Sequence, residues 1–272
     1  MTVGKTAELA RLRRVEGRHN ALVKTLRQAF TRAELNEQGE CAIEGFRIIE
    51  EAIRSGLRLQ AVFFNESAVS RAGKLLPQIG SHVKTLLFPD SLFSSVVATE
   101  SPQGVAALVQ VKQHTLEEIL DHQSDQPVLV VVGIQDPGNL GTILRSAEAF
   151  GAGGILLGEG TVSPYNSKVI RASAGSIFRI MLCKVKVPEA VPKLRERGIR
   201  MVATSSHKGT PLPESNLSGA TAIFIGNEGA GLHKKLLTDM DELLMIPHSD
   251  RVESLNAGIA ASIILYEARR QN

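Results

Sequence analysis

The pattern of apolar positions changes near residue 128. From Val128 onward, five short runs are almost wholly apolar (VLVVVG, GGILLG, RMVATSS, AIFIGNE and ELLMIP), and helical patterns separate them. Continuous apolar strands that alternate with helices are typical of a parallel sheet covered on both faces. Such sheets bind ligands at the carboxyl ends of their strands. We therefore predict an α/β domain over residues 127–272, with its site in the loops that follow the strands.

Before residue 112 the pattern predicts a smaller α/β domain. Residues 41–56 combine a short strand, a turn and an amphipathic helix, and strand-like runs follow at residues 59–64, 85–88 and 105–111. The polar segment of residues 112–126, which ends before Pro127, predicts a linker. The small domain is thus expected to span residues 33–111.

Positive charge is concentrated at the N-terminus. Residues 1–32 contain eight Lys or Arg and two Glu, a net charge of +6, whereas the whole chain of 272 residues carries only +3. A basic segment on a nearly neutral body favours a polyanionic partner such as nucleic acid, because Lys and Arg bind phosphates without regard to sequence. A solvated helix face is the alternative. We interpret residues 1–32 as a basic helical arm.

Composition narrows the classes of function. With no Trp and two Tyr, the chain has few platforms for stacking on bases. Cys41 and Cys183 lie far apart in the sequence, and neither they nor the histidines show metal-ligand spacing. The N-terminus lacks the apolar core of a secretion signal, and no run approaches the roughly 20 apolar residues that span a bilayer. We expect a cytoplasmic protein without a metal or a membrane segment.

Two loops of the larger domain bear candidate chemistry. The first, DPGNLG at residues 136–141, opens a helix that carries Arg145, and Asn139 either caps this helix or faces an anion or a ribose. The second is the glycine loop, GNEGAG at residues 226–231, whose glycines allow a ligand to approach the backbone closely. It matches neither a Walker loop nor the dinucleotide fingerprint, and the Glu228 carboxylate disfavours a phosphate. Thr204, at the end of the preceding strand, is expected to line the same crevice.

The third loop leads into the last helix. Apolar residues recur there three to four positions apart, at Leu255, Ile259, Ile263 and Tyr266. Ser254 is placed as the N-cap. The residues between are small: Ala257, Gly258, Ala260 and Ala261. Glycine inside a helix costs up to about 1 kcal/mol relative to alanine, so this smooth surface predicts close approach of a ligand or another backbone. A buried C-terminal helix is the alternative.

Together, the segments NLGTILRSAEAFGA, FIGNEGAGL and IPHSDRVESLNAGIAASIILYEA resemble, in order and spacing, the three motifs of the SpoU/TrmH family of RNA ribose 2′-O-methyltransferases. The resemblance extends to YNSKVIRASAGSIF, and residues 44–109 resemble the substrate-binding domain of its ribosomal RNA members. It implies a parallel sheet with a deep trefoil knot that dimerises and binds S-adenosylmethionine. The implied cofactor contacts are Thr204, Gly226, Ile246 and Leu255.

The same resemblance implies the catalytic candidates, which are Asn139, Arg145, Glu228, Ser254 and Asn256. A guanidinium is a poor base because its pKa exceeds about 12, so we expect Arg145 to position the ribose hydroxyl and stabilise its oxyanion. Ser254 and Asn256 are expected to orient Arg145 or the target phosphate, and Asn139 to fix the arginine side chain. Glu228 is expected to secure its loop or the partner subunit. His248 and Asp250 depart from the family pattern, which has Met and Gly there.

The implied activity is methyl transfer from S-adenosylmethionine to a ribose 2′-hydroxyl of structured RNA, with 23S ribosomal RNA as the first expectation. Transfer RNA is an alternative substrate, and the modification could serve housekeeping or antibiotic resistance. A non-catalytic RNA-binding or ribosome-assembly factor that kept the fold is an alternative from another class. A nucleotide-dependent enzyme that binds phosphate at its glycine loop is a third.

Overall fold

Two β-sheets organise the chain, each in its own unit. The computed structural model describes residues 9–97, 99, 101–122 and 126–272, so residues 1–8 of the predicted arm and 123–125 of the predicted linker lie outside the described part. The first unit comprises residues up to 112 together with Ser163–Phe178, and the second comprises Gln113–Val162 and Arg179–Asn272. These ranges differ from the predicted domains because Ser163–Phe178 packs with the first unit.

The first unit contains a five-stranded mixed sheet in the order β1-β4-β3-β5-β2. Its strands are β1 (Arg13–Arg14), β2 (Glu40–Glu44), β3 (Arg58–Asn65), β4 (Lys84–Phe88) and β5 (Val105–Gln110). Its first four helices are α1 (Ala21–Arg32), α2 (Phe46–Arg54), α3 (Val69–Leu75) and α4 (Asp90–Ser94). Strand β5 runs antiparallel to β2 and β3, while β1 and β3 run parallel to β4. The predicted small α/β domain with its strands is therefore confirmed.

Residues 9–32 of the basic N-terminal segment pack within this unit. Helix α1 buries Val23, Leu26 and Phe30 in the core of the unit. The guanidinium of Arg11 donates to the carbonyls of Leu76 at 3.3 Å, Ile79 at 3.1 Å and Gly80 at 2.8 Å, where a helical segment ends. The charge pattern alone does not reveal these contacts, because it cannot distinguish an arginine that binds backbone carbonyls from one that binds a polyanion.

Ser163–Phe178 covers an edge of the first sheet. It contains α7 (Ser167–Ala172), which packs against the edge strand β2, and every residue of β2 is buried. Burial raises the pKa of the Tyr165 phenol, and the nearby Cys41 and Glu34 raise it further. The first unit is therefore completed by a segment that lies more than fifty residues beyond its main stretch.

The second unit contains a seven-stranded sheet in the order β10-β12-β9-β11-β6-β7-β8, and every pairing in it is parallel. Its strands are β6 (Val128–Val131), β7 (Gly154–Leu157), β8 (Leu182–Lys184), β9 (Arg200–Ser205), β10 (Thr210–Pro211), β11 (Thr221–Ile225) and β12 (Glu242–Met245). Its helices are α5 (Leu116–His122), α6 (Pro137–Ala149), α8 (Val187–Glu196), α9 (Lys234–Leu237) and α10 (Ala257–Gln271). The predicted parallel sheet is confirmed. Helix α5 lies inside the predicted linker.

Helix α10 approaches α6 closely where its residues are small. A Cβ on Gly258 would lie 3.0 Å from Cβ of Thr142, and the hydroxyls of Ser146 and Ser262 are 2.6 Å apart. The predicted close approach of another backbone is therefore confirmed. Three of the four apolar positions used to predict the helix point outward, with Ile259, Ile263 and Tyr266 exposed by 53%, 37% and 57%. The fourth, Leu255, lies before the helix begins.

Helix α10 begins two residues later than predicted. Its N-cap is Asn256, whose Oδ1 accepts from the backbone N–H of Ile259 at 3.1 Å, so the prediction of Ser254 as the cap is wrong. Asn can cap a helix as well as Ser, and both stand in front of the same apolar pattern. Among the described residues, no helix is long and apolar enough to cross a bilayer.

Candidate functional site

One cleft of about 700 Å³ lies in the second unit, where β9, β11 and β12 end. Because these strands are parallel neighbours in the sheet, their carboxyl ends bring three loops to one edge. All four predicted cofactor contacts line this cleft: Thr204, Gly226, Ile246 and Leu255. The structure thus brings together residues that are up to 51 positions apart in the sequence.

The glycine loop forms a tight turn at the cleft. A Cβ on Gly226 would lie 2.5 Å from the carbonyl carbon of Gly231 and 2.7 Å from the backbone nitrogen of Leu232. Asn227 and Gly231 exchange two backbone hydrogen bonds, of 3.2 and 3.0 Å. Gly226 is therefore required by the close approach of the loop to its own backbone, which leaves no room for a side chain.

Three of the catalytic candidates form a chain of hydrogen bonds. Nδ2 of Asn139 donates to Oε1 of Glu228 at 2.8 Å, and Oδ1 of Asn139 accepts from Nδ2 of Asn256 at 2.7 Å. Asn139 is only 8% exposed, so its end of each bond is shielded from water. These hydrogen bonds link the first turn of α6, the glycine loop and the start of α10. Because Asn256 also caps α10, the helix end fixes one terminus of the chain.

The alternative in which Asn139 caps α6 is wrong, because Asp136 does so. Oδ1 of Asp136 accepts from the backbone N–H of Asn139 at 2.8 Å. Asp136 is thus a supporting residue that the sequence prediction missed. An Asp directly before a Pro at the first helical position is a signal that could have revealed it. The cap leaves the Asn139 side chain free to bind Glu228 and Asn256.

Arg145 and Ser254 lie apart from this chain. Arg145 is exposed on α6, is not among the described residues that line the cleft, and forms no hydrogen bond or ion pair with any described residue. The expected contact between Asn139 and Arg145 is therefore absent from the described residues, because Asn139 is occupied by its two other partners. Ser254 lines the cleft and is exposed.

Two histidines stand at the cleft. Nδ1 of His248 lies 2.7 Å from the carbonyl oxygen of Ile246, which requires Nδ1 to donate. The rings of His248 and His207 have centroids 6.0 Å apart, and both line the cleft together with Lys208. Asp250 lies in an exposed turn beyond this pair. The departures from the family motif therefore differ in effect, since His248 reaches the cleft and Asp250 is not among its described lining residues.

The cleft combines apolar walls with carboxylates. Leu237, Leu243 and Leu255 contribute apolar surface, Glu228 and Glu253 contribute negative charge, and Lys208 contributes one positive charge. This lining suits a ligand that joins an apolar ring system to a positively charged centre. Among the described residues, no three His, Cys, Asp or Glu side chains group as metal ligands.

Neither cysteine offers a reactive thiolate. Burial, with a smaller contribution from Glu40, raises the pKa of the Cys41 thiol to about 12. Burial, aided by Glu117, raises the pKa of the Cys183 thiol to about 11. At neutral pH both thiols are therefore protonated, and neither cysteine is among the described residues that line the cleft.

Two family models match the chain. The model of the SpoU rRNA Methylase family matches residues 126–266. The model of an MRM3-like substrate binding domain matches residues 20–107. The first match contains all the loops that line the cleft, and the second lies within the first unit.

Full-length relatives and solved structures agree with these matches. The chain is 30% identical to the 23S rRNA (guanosine(2553)-2′-O)-methyltransferase RlmP of Bacillus subtilis, over 95% of this chain and 100% of that protein. It is 30% identical to the 23S rRNA (uridine(2479)-2′-O)-methyltransferase of Streptomyces viridochromogenes, over 86% and 83% of the two chains. The crystal structure of an AdoMet-bound rRNA methyltransferase from Sinorhizobium meliloti matches with a TM-score of 0.80 and 28% identity, covering 96% of this chain and 98% of that one.

Proposed function

The chain belongs to the SpoU rRNA methylase family, and on this basis we propose that it transfers a methyl group from S-adenosylmethionine to a ribose 2′-hydroxyl of 23S ribosomal RNA. The observation that carries this proposal is the match to the Bacillus subtilis 23S rRNA enzyme along the whole of that protein, through both units. We place the reaction in the cytoplasm, where bacterial ribosomes assemble.

The cleft fits S-adenosylmethionine in size and chemistry. A volume of about 700 Å³ lies within the range of about 300–1,000 Å³ that is usual for small-molecule sites. We propose that Gly226, Ile246 and Leu255 bind the cofactor through their backbones and that Thr204 lies beside it. The carboxylates of Glu228 and Glu253 offset the positive charge of a sulfonium. When bound, the cofactor supplies an electrophilic methyl group.

Arg145 acts on the ribose in this proposal. In this reaction the 2′-hydroxyl would give its proton to solvent water as its oxygen takes the methyl group, and S-adenosylhomocysteine would leave, so negative charge would develop on that oxygen. A guanidinium stabilises such charge by donating hydrogen bonds and does not accept the proton, because its pKa exceeds about 12. The exposure of Arg145, which lacks a partner among the described residues, leaves its five N–H groups available to RNA.

The other catalytic candidates hold the site around Arg145. We assign Asn139 and Asn256 to keeping Glu228 at the cleft, since the three side chains form one hydrogen-bonded chain. Ser254 is at the cleft and orients the target phosphate through its hydroxyl. This assignment replaces the expected contact of Asn139 with the arginine.

We also propose that the second unit is knotted. Strand β12 lies two places from β11 in the sheet, and the chain then returns so that α10 packs against α6, the helix after β6. A chain that makes this return through the loop after β9 forms the trefoil knot that the family resemblance implies. The cofactor loops are then segments of the knot itself.

The exposed apolar stripe of α10 supports a homodimer. Ile259, Ile263 and Tyr266 lie on one face of the helix and are exposed, which is unusual for three large apolar residues so close together. We propose that the same stripe of a second copy covers it. A two-fold interface brings identical surfaces together, so one apolar stripe is sufficient for both subunits.

The dimer predicts a large effect of Ile263→Glu. A carboxylate buried without a partner costs several kcal/mol, so the dimer Kd is expected to rise by about 100-fold or more. Sedimentation velocity across a dilution series measures the change. Ser70→Glu, at an exposed helical position of the first unit, is the control and should leave the dimer intact. An unchanged sedimentation coefficient for Ile263→Glu would place the interface elsewhere.

The basic surface of α1 predicts a salt-dependent contribution to RNA binding. Deletion of residues 1–32 would remove Val23, Leu26 and Phe30 from the core, so charge substitutions are the cleaner test. We expect the double variant Lys24→Gln, Arg32→Gln to have a shallower salt dependence. The magnitude of the negative slope of log K against log salt concentration should fall by about 1.5 units, because each lost phosphate contact reduces it by about 0.7–0.9.

The control for this slope is Arg58→Gln with Lys84→Gln. These two exposed residues stand at the starts of β3 and β4 in the same unit. Binding of ribosomal RNA fragments by filter retention from low to high salt gives the slope. If both pairs of substitutions change it equally, α1 has no special part in RNA binding.

The activity itself is tested by mapping 2′-O-methylation on total RNA from cells with and without the gene. A single 23S ribosomal RNA ribose that loses its methyl group supports the proposal and identifies the target. Loss of a methyl group from transfer RNA instead would establish the alternative substrate. No change in any RNA, together with no binding of S-adenosylmethionine by calorimetry, would favour a non-catalytic assembly factor.

A further inference from the structure

The side chain of Asn227 joins the glycine loop to the segment that leads into α6. Its Nδ2 donates to the carbonyl oxygen of Gly133 at 2.7 Å. Its Oδ1 accepts from the backbone N–H groups of Gly229 at 2.9 Å and Ala230 at 3.0 Å. The donor half of the amide therefore fixes the distance between two loops, while the acceptor half holds the turn of one loop.

The anchor at Gly133 is itself held in place. Its N–H donates to Oγ1 of Thr161 at 3.0 Å, and the Thr161 hydroxyl donates to the carbonyl oxygen of Val131 at 3.0 Å. Gly133 has φ of +71°, and a Cβ there would lie 3.4 Å from Cβ of Asn227. The bond from Asn227 therefore ends on a backbone group with little freedom to follow a moving loop.

Glu228, the residue after Asn227, makes a second connection from the glycine loop, to the first turn of α6. Glu228 accepts from Nδ2 of Asn139 at 2.8 Å, and Asn139 stands on the other side of the helix start at Pro137. The two hydrogen bonds, from the neighbouring residues Asn227 and Glu228, fix the orientation of the glycine loop as well as its distance from the start of α6. Without the bond from Asn227, the loop is free to pivot about the pair formed by Glu228 and Asn139.

We propose that Asn227 is a positioning residue for methyl transfer, which holds the glycine-loop wall of the cofactor cleft in register with α6, the helix that carries Asn139 and Arg145. The inference rests on the proposed function. It concerns the alignment of the two reactants. The glycine loop lines the proposed cofactor site, and α6 carries Arg145, which is proposed to act on the ribose. A misplacement of about 1 Å at such a site can lower the rate by up to about 100-fold.

Asn227→Ser tests the donor role of the Asn227 amide separately from its acceptor role. A serine hydroxyl can still accept from the N–H groups of the turn but is too short to reach Gly133. We expect kcat to fall by about tenfold or more, while the Kd for S-adenosylmethionine stays within about threefold. Methyl transfer from labelled cofactor to total RNA gives kcat, and calorimetry gives the Kd.

Asn216→Ser is the matched control. Oδ1 of Asn216 accepts from the N–H of Ser218 at 3.0 Å in an exposed turn of the same unit, before β11 and away from the cleft. We expect this variant to keep the wild-type kcat, Kd and melting temperature. An inactive wild-type protein that also fails to bind the cofactor would refute the proposed function, whereas an active one leaves Asn227 to be judged by its own variants.

Wild-type kcat in Asn227→Ser would overturn the positioning role. The role would also be overturned if kcat recovered fully when the assay temperature was lowered below the melting transition, because that pattern belongs to a purely structural residue. If Asn227→Ser does not fold, Asn227→Asp carries the same test, since its carboxylate accepts from the turn and offers no N–H to Gly133. The same fall in kcat at retained cofactor affinity is expected there.

Discussion

Arg145→Ala should lower methyl transfer by about 100-fold to 1,000-fold, the loss typical of removing a group that stabilises an oxyanion. The affinity for S-adenosylmethionine should stay within about twofold, because Arg145 is not among the described residues that line the cleft. The substitution should therefore lower kcat, because the ribose is less well positioned and its oxyanion less stabilised, and should leave cofactor binding nearly unchanged. Single-turnover methylation with labelled cofactor measures the first quantity, and calorimetry the second.

Arg269→Ala is the control for this prediction. Arg269 is also exposed on a helix of the second unit, so its removal matches the loss of charge and of side-chain volume. Arg145→Lys adds information, because a lysine keeps the charge but presents a single point donor in place of a planar fork. Turnover at the wild-type rate in Arg145→Ala would remove the residue from the mechanism.

Gly226→Ala should strongly weaken cofactor binding. The added Cβ would lie 2.5 Å from a backbone carbon of Gly231, and backbone at this distance has to shift. The shift opens the turn that forms one wall of the cleft, so we expect the Kd for S-adenosylmethionine to rise by about 100-fold, a loss of about 2.7 kcal/mol. Calorimetry with the purified variant measures this change directly.

Gly229→Ala is the matched control in the same loop. A Cβ at Gly229 meets only Oδ1 of Asn227, at 3.7 Å, which is an ordinary van der Waals distance. We expect its cofactor affinity to stay within about threefold of the wild-type value. If both alanine variants lose affinity equally, the loop needs glycine for flexibility and not for the close contact at Gly226.

The fold was predictable where the apolar runs were long enough to show a period. The main strands and the parallel sheet follow from such runs, whereas β8 and β10 have three and two residues and give no pattern. The face of α10 was harder to predict. Ile259, Ile263 and Tyr266 indicate a helix but are exposed, while the buried side combines small residues with Ile264 and Leu265. The small residues let α6 approach closely.

The sequence indicates which loops form the cleft but not the contacts between their side chains. The family motifs place Gly226, Ile246 and Leu255 at loops, and Thr204 stands near the end of the strand β9. The sheet then brings these four residues to one cleft. No spacing rule indicates that Asn139 binds Glu228, since the two are 89 residues apart. Asn227 was missed for a related reason, because its partner Gly133 offers only a backbone carbonyl, which is invisible in a sequence.

The helix at Ser167–Ala172 shields the edge strand β2, and this limits how the gene can be cut or recombined. A fragment that ends at residue 112 would leave one side of β2 bare, and a bare strand edge invites pairing with other chains. Exchange of the first unit between relatives would have to transfer residues 163–178 as well. Because the first unit is encoded in two separate segments, hybrid proteins made with a single crossover point between them are expected to aggregate.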